Sequence, residues 1–205
     1  MPKDDQTSAA EQLLCDFTGG AVGHRFRSGA GRGQSLPKAV GMKGGKTPDI
    51  VDATAGLGRD AFLLASLGAR VTLIERSPKI HTLLQDGLSR ARDAGGDMAE
   101  VIDRMALLQG DAKDLLPELS PEVVLVDPMH PPRKKSALVK NEMRLLRQIV
   151  GVDEDAADLM KIALGVARSR VVLKWPLRAD AMAGIVAASH QITGKTTRYD
   201  VFMTG

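Results

Sequence analysis

From Pro48 onward, short runs of Val, Ile and Leu alternate with longer stretches of helical spacing. That is the pattern of strand and helix units wound about a parallel sheet. The apolar runs predict strands over 50–54, 70–75, 105–109, 123–127 and 170–174, and the helical spacing predicts helices over 59–67, 79–93, 137–150, 154–167 and 179–190. Val, Ile and Leu dominate the strands, as they must where helices cover both faces. The last two runs, 191–197 and 198–204, leave too little chain between them for a crossover helix, so the sheet is expected to finish in an antiparallel hairpin.

The chain has 205 residues, of which 43% are hydrophobic and 3% aromatic, enough for one domain with a buried core. We divide it into a basic, Gly-rich N-terminal arm at 1–47 and a main domain at 48–205. The single cysteine, Cys15, excludes an internal disulfide and any multi-cysteine metal site, which points to a reducing compartment and hence the cytoplasm. The apolar stretches near 162–167 and 182–188 are far short of a membrane span, and the opening MPKDDQTSAAEQ lacks a signal-peptide core.

The net charge of +3 conceals two basic segments. Between Phe17 and Pro48 there is no acid, and Arg25, Arg27, Arg32, Lys38, Lys43 and Lys46 stand among nine glycines. Between Arg133 and Arg147, six cations face only Glu142. Such segments attract a polyanion or are simply solvated; a neighbouring active site favours the first.

In an open parallel sheet, ligands bind beyond the carboxyl ends of the strands. The first such turn reads DATAGLGRD, in which Gly56 and Gly58 allow a tight turn and close approach by a ligand. Glu75 ends the second predicted strand, seventeen residues after Gly58, where an acid grips the paired hydroxyls of a ribose. Asp111 follows the third and can accept from an adenine amine, cap the next helix, or both. Gly56 to Ala61 also satisfies the dinucleotide fingerprint, so a nicotinamide-dependent oxidoreductase is a rival. The fourth strand end, Asp127-Pro128-Met129-His130-Pro131-Pro132, separates them. A carboxylate on a proline-stiffened loop suits a planar base bearing an amine rather than a hydride acceptor. Asp127 and the Pro128 carbonyl can accept the amine hydrogens and orient its lone pair, and His130 can stack on the base. The methyl donor for that chemistry is S-adenosylmethionine, and the transfer calls for no metal.

The blocks DFTGGAVGHRFRSGAGRG (16–33), DATAGLGRDAF (52–62), Glu75-Arg76, DPMHP (127–131) and KSALVKNEMR (135–144) closely resemble a family of bacterial small-subunit ribosomal RNA methyltransferases. This family, of the J type, modifies the N2 amine of a guanine near the 3′ end of 16S RNA. The resemblance implies an α/β class I S-adenosylmethionine-dependent methyltransferase fold, Rossmann-like, with a mostly parallel seven-stranded sheet. It also implies that Arg59, Asp60, Glu75, Arg76, Asp111, Ala112 and Asp127 contact the cofactor. Its partner would be 16S ribosomal RNA or the small ribosomal subunit, with Lys134, Lys135, Lys140 and Arg144 holding RNA phosphates beside the base.

This sequence departs from the family in three ways. His130 stands where Phe is usual, the N-terminal region is shorter than in enterobacterial members, and Lys174-Trp175-Pro176 puts Trp175 where a basic residue is common. Trp175 could stack on the base in place of His130 or plug the sheet edge. Asp127-Pro128 also fits an adenine N6 amine or a DNA substrate, and a non-catalytic RNA-binding protein that retains a cofactor pocket is a reading from another class.

Overall fold

The computed structural model describes residues 13–27, 31, 33–129, 141–151 and 153–205. Two short helices, α1 (Gly20–Arg27) and α2 (Ser35–Ala39), precede the first strand. The order then runs β1 (Ile50–Asp52), α3 (Arg59–Ser66), β2 (Val71–Glu75), α4 (Pro78–Asp93), α5 (Gly96–Ile102), β3 (Met105–Gln109), α6 (Ala112–Leu119) and β4 (Val123–Val126). It continues with α7 (Asn141–Val150), α8 (Ala156–Val166), β5 (Arg170–Pro176), β6 (His190–Thr193) and β7 (Thr197–Met203).

The seven strands form one sheet in the order β3-β2-β1-β4-β5-β7-β6. The first five are parallel, and β7 inserts antiparallel between β5 and β6. Each strand of the parallel part has only 3 to 7 residues, nearly all buried in β1, β2 and β4, because helices cover both faces.

Period-two alternation sends successive side chains to opposite faces. Ile50, Leu73, Leu125, Val172 and Val201 pack beneath α3 and α4 in one core. Val51, Ile74, Val124, Leu173 and Phe202 pack beneath α6 and α8 in the other. Helix starts follow their local chemistry. Ser77 caps α4 by accepting from the Ile80 N–H, with Pro78 at the first helical position, and Asp111 caps α6 by accepting from the Lys113 N–H at 2.9 Å.

Residues before β1 join the first core: Leu13, Cys15, Phe17, Leu36, Val40 and Met42 are all buried there. The Cys15 thiol donates to the Leu57 carbonyl at 3.3 Å, and Arg90 donates to the Cys15 carbonyl at 2.6 Å. Phe17 stacks on Phe62 with ring centroids 4.9 Å apart. The described part of the arm is therefore packed into the first core.

The helix expected over 179–190 is absent; this stretch is irregular chain leading into β6. Its carbonyls are taken from outside. Arg198, itself buried, donates to the carbonyls of Pro176, Leu177, Ala179 and Asp180, and the Trp175 indole donates to the Asp180 carbonyl at 2.7 Å. These donors occupy acceptors that a helix would need for its own bonds. Helix α5 was not anticipated, and α7 is described only from Asn141.

Candidate active site

The C-terminal rim of the sheet carries a cleft of about 650 Å³, open mouth included, lined by the ends of β1 to β4 and by α7 and α8. Its apolar wall is Ala53, Ile74, Ala112, Ala156 and Leu159; Glu75, Asp111 and Asp127 bring carboxylates to it.

Glu75 is buried at the end of β2, and its two oxygens accept from the Gly56 N–H at 2.9 Å and the Ser77 N–H at 2.7 Å. Burial pushes its carboxyl up, while those two N–H groups oppose the shift. Each oxygen keeps a further lone pair for a ligand hydroxyl. Gly56 has φ +53°, and a Cβ built on it would meet only the Thr54 carbonyl at 3.9 Å, so the backbone of this turn is open to approach. Gly58 is different despite its identical appearance in the sequence. At φ +69° its Cβ would lie 2.7 Å from Leu84 and 3.2 Å from Phe17, so this glycine faces the core and starts α3.

Arg76 lines the cleft, paired with Asp153 and, at 3.1 Å, with Asp155. Lys113 reaches Asp155 at 2.6 Å, and Asp153 accepts from the Met129 N–H at 2.6 Å. This cluster ties the segment after α7 to the ends of β2 and β4, closing the cleft's lip.

Asp127 follows β4, and its N–H donates to the Thr54 hydroxyl at 2.7 Å. One carboxylate oxygen accepts from Lys174 at 2.8 Å; the same ammonium reaches Asp60 at 2.6 Å. Asp52, fully buried at the end of β1, lies on the same face, with its Oδ1 accepting from the Thr54 N–H at 3.2 Å. Burial, with Asp60 and Asp127 nearby, raises the Asp52 carboxyl to about 7. Burial raises Asp127 as well, and Lys174 opposes that rise. The two carboxylates in turn hold the Lys174 ammonium above its ordinary range despite burial. Three acids and one lysine thus share the rim.

The structure brings Gly56, Glu75, Arg76, Asp111, Ala112, Asp127 and Pro128 together in this cleft; Gly58, Arg59 and Asp60 are not among its lining residues. Arg59 and Asp60 sit at the start of α3, on the other side of the Lys174 bridge. His130, Lys134, Lys135 and Lys140 lie outside the described residues, as does the side chain of Arg144. Trp175 is buried in the core beneath α6 and α8, in the plug position. Sequence reasoning missed Lys174, Asp52, Asp153 and Asp155. For Lys174 the signal was present in its place near the end of β5, one residue before Trp175.

The antiparallel insertion of β7 departs from the strand order of dinucleotide-binding sheets, which disposes of the oxidoreductase reading. A buried acid at the end of β2, an exposed glycine turn and a flat apolar wall fit S-adenosylmethionine, and the fold and site together define a class I S-adenosylmethionine-dependent methyltransferase. The family model described as "Putative SAM-dependent methyltransferase" matches residues 2–204. The crystal structure of a SAM-dependent methyltransferase from Neisseria gonorrhoeae superposes with a TM-score of 0.73 at 36% identity, covering 94% of this chain and 74% of that one. Ribosomal RNA small subunit methyltransferase J of Agrobacterium fabrum is 69% identical over 94% of this chain and 93% of its own length. Its counterpart from Thioalkalivibrio sulfidiphilus is 53% identical over 94% and 76%. The chain belongs to the ribosomal RNA small subunit methyltransferase J family.

Proposed function

We propose that this enzyme transfers a methyl group to the exocyclic N2 amine of a guanine in small-subunit ribosomal RNA, giving N2-methylguanosine. The observation that carries the reading is Asp127. Its carboxylate stands on a proline-stiffened turn at the edge of the cofactor cleft, with one oxygen committed to Lys174 and the other left for a substrate amine. The names of the relatives at 69% and 53% identity supply the RNA class.

When bound, S-adenosylmethionine supplies an electrophilic methyl group on sulfur. Glu75 holds the ribose hydroxyls, Asp111 and Ala112 border the adenine, and the Arg76–Asp153–Asp155–Lys113 cluster closes the lip. Asp127 and the Pro128 carbonyl accept the two amine hydrogens, which turns the nitrogen lone pair toward the methyl carbon. As the N–C bond forms, the methyl's bond to sulfur would break, with S-adenosylhomocysteine leaving as the neutral thioether, and the nitrogen sheds one proton to water. His130 stacks on the base from the loop that follows, and Lys134, Lys135, Lys140 and Arg144 hold neighbouring phosphates. The catalytic domain is built on 48–205, 1–47 is an arm whose described part packs into its first core, and the enzyme works in the cytoplasm, where ribosomal RNA is made. Among the described residues no helix is long and apolar enough to cross a membrane.

The test is transfer of labelled methyl to unmodified 16S RNA and to small subunits, with nucleoside analysis of the product. N2-methylguanosine that disappears with Asp127→Ala is the expected result. N6-methyladenosine would replace the substrate, and binding of RNA with no turnover at all would refute the enzyme assignment.

A further inference from the structure

Strand alternation sorts the rim residues by face. Lys174 and Tyr199 are register partners across β5 and β7, as are Trp175 and Arg198. Trp175 packs in the core beneath α6 and α8, so Lys174 and Tyr199 emerge on the opposite, α3 face. As directly opposed residues, their Cβ atoms are separated by ~5 Å. The apolar wall of the cofactor cleft, in contrast, comes from Ala53, Ile74, Ala112 and Leu159 of the α6–α8 face. Asp127 stands between the two sides, and Lys174 links it to Asp60.

Beyond that link, on the α3 side, lies a second cleft of about 1,200 Å³, open mouth included, between α2, α3 and the β6–β7 turn. Its lining includes Ser35, Asp60, Leu63, Lys195, Thr197 and Tyr199. The Ser35 hydroxyl donates to the Thr193 carbonyl at 3.2 Å, which holds the hairpin against α2 and fixes the walls. Tyr199 is half-buried, yet its hydroxyl makes no hydrogen bond among the described residues. Burial, reinforced by Asp60, pushes its phenol up to about 12, so it remains a neutral donor. A half-buried phenol ordinarily has a polar partner, and the open side of this one is the cleft.

We propose that this second cleft is the acceptor subsite, receiving a purine nucleotide of single-stranded RNA, with Tyr199 contacting the base and Lys195 the adjoining phosphate. The inference rests on the reading that Asp127 faces the substrate amine. Asp60 lines this cleft and is joined to Asp127 through Lys174, so a base entering from the α3 side approaches Asp127 from the side opposite the cofactor cleft. The Tyr199 hydroxyl donates to a purine ring acceptor such as guanine O6, and its ring offers an unstacked base a flat neighbour. Trp175, the aromatic next to Lys174 in sequence, is turned into the core and leaves this role to Tyr199.

Tyr199 is the single tyrosine of the chain, so ring-labelled tyrosine in the whole protein gives one reporter. Its ring resonances are expected to stay in place on addition of S-adenosylhomocysteine and to move on addition of unmodified small-subunit RNA. Tyr199→Phe is expected to lower kcat/KM for RNA by ~3- to 10-fold, the worth of one neutral hydrogen bond, with S-adenosylhomocysteine affinity unchanged. Lys195→Ala is expected to raise KM for RNA alone. Ring signals that move with S-adenosylhomocysteine but not with RNA, at RNA concentrations that saturate methyl transfer, would overturn the assignment. So would wild-type kinetics in both Tyr199→Phe and Tyr199→Ala. Turnover surviving in Asp127→Ala would strike at the underlying reading instead, whereas an inactive Asp127→Ala with a silent Tyr199 removes only the acceptor subsite.

Discussion

Replacing Lys174 with Met keeps the length of the side chain and removes the one cation that Asp60 and Asp127 share. In the wild-type protein its ammonium lies 2.6 Å from Asp60 and 2.8 Å from Asp127. Removing one partner of a fully buried pair costs about 3–5 kcal/mol. The Asp127 side chain is 40% exposed and Asp60 26%, so water screens part of that, and about 2–3 kcal/mol is the appropriate figure. If that loss falls on the geometry and ionisation of Asp127, kcat drops by roughly 30- to 150-fold. The sign of the pH effect follows from the groups on this face. Burial, Asp60 and Asp153 raise the Asp127 carboxyl, and Lys174 is what lowers it. Without the lysine the carboxyl rises further, and the acidic limb of the kcat profile moves to higher pH, with partial recovery in alkaline buffer. Affinity for S-adenosylhomocysteine, measured by calorimetry, stays close to wild type, since Lys174 does not line that cleft. A Lys174→Met enzyme with turnover within threefold of wild type and an unmoved acidic limb would refute this reasoning.

Other outcomes follow from the same geometry. If Glu75 holds the ribose as proposed, Glu75→Ala should weaken S-adenosylhomocysteine binding by ~10- to 100-fold, the worth of a charge-assisted hydrogen bond, without raising KM for RNA. Asp52 holds its proton up to about 7 when folded, against an ordinary 3.8. The folded state therefore binds more protons between those values, and stability falls as pH rises through that window, by up to about 4 kcal/mol. Asp52→Asn should flatten this decline in urea titrations at pH 4 to 8, giving the larger gain at the alkaline end. Gly58→Ala combines a positive φ with a Cβ 2.7 Å from Leu84 and should cost about 2–4 kcal/mol in denaturant unfolding. Gly56→Ala, with open space above it, should cost only about 1 kcal/mol from its positive φ.

The strands β1 to β5 were legible because runs such as VVLV at 123–126 and VVL at 171–173 are buried on both faces and leave no other reading. The placement of Glu75 and Asp127 at strand ends on the cleft was legible because a strand end is a fixed place in such a sheet. The segment 179–190 was misread because its helical spacing is real but its carbonyls belong to Arg198 and Trp175, donors fixed by the sheet. Gly56 and Gly58 look alike in sequence, and only the packing of Leu84 and Phe17 against one of them tells a glycine open to the cleft from a core-facing one. Lys174 was passed over because adjacent strand residues face opposite ways, and the register with β7 decides which of Lys174 and Trp175 reaches the rim.

The insertion of β7 between β5 and β6 bears on how the polypeptide is made. β7 is the last strand in chain order, yet it pairs on both sides, and Val201 and Phe202 are buried in the two cores. During synthesis, β5 keeps an unpaired edge and Arg198 is not yet present to receive the carbonyls of the preceding loop. The growing chain thus carries a bare, apolar strand edge until β7 clears the ribosome, an interval in which it can add strands from a neighbouring nascent chain. Closure of the sheet, and with it the alignment of Lys174 beside Tyr199, therefore waits on the synthesis of β7, long after β1 to β5 have been made.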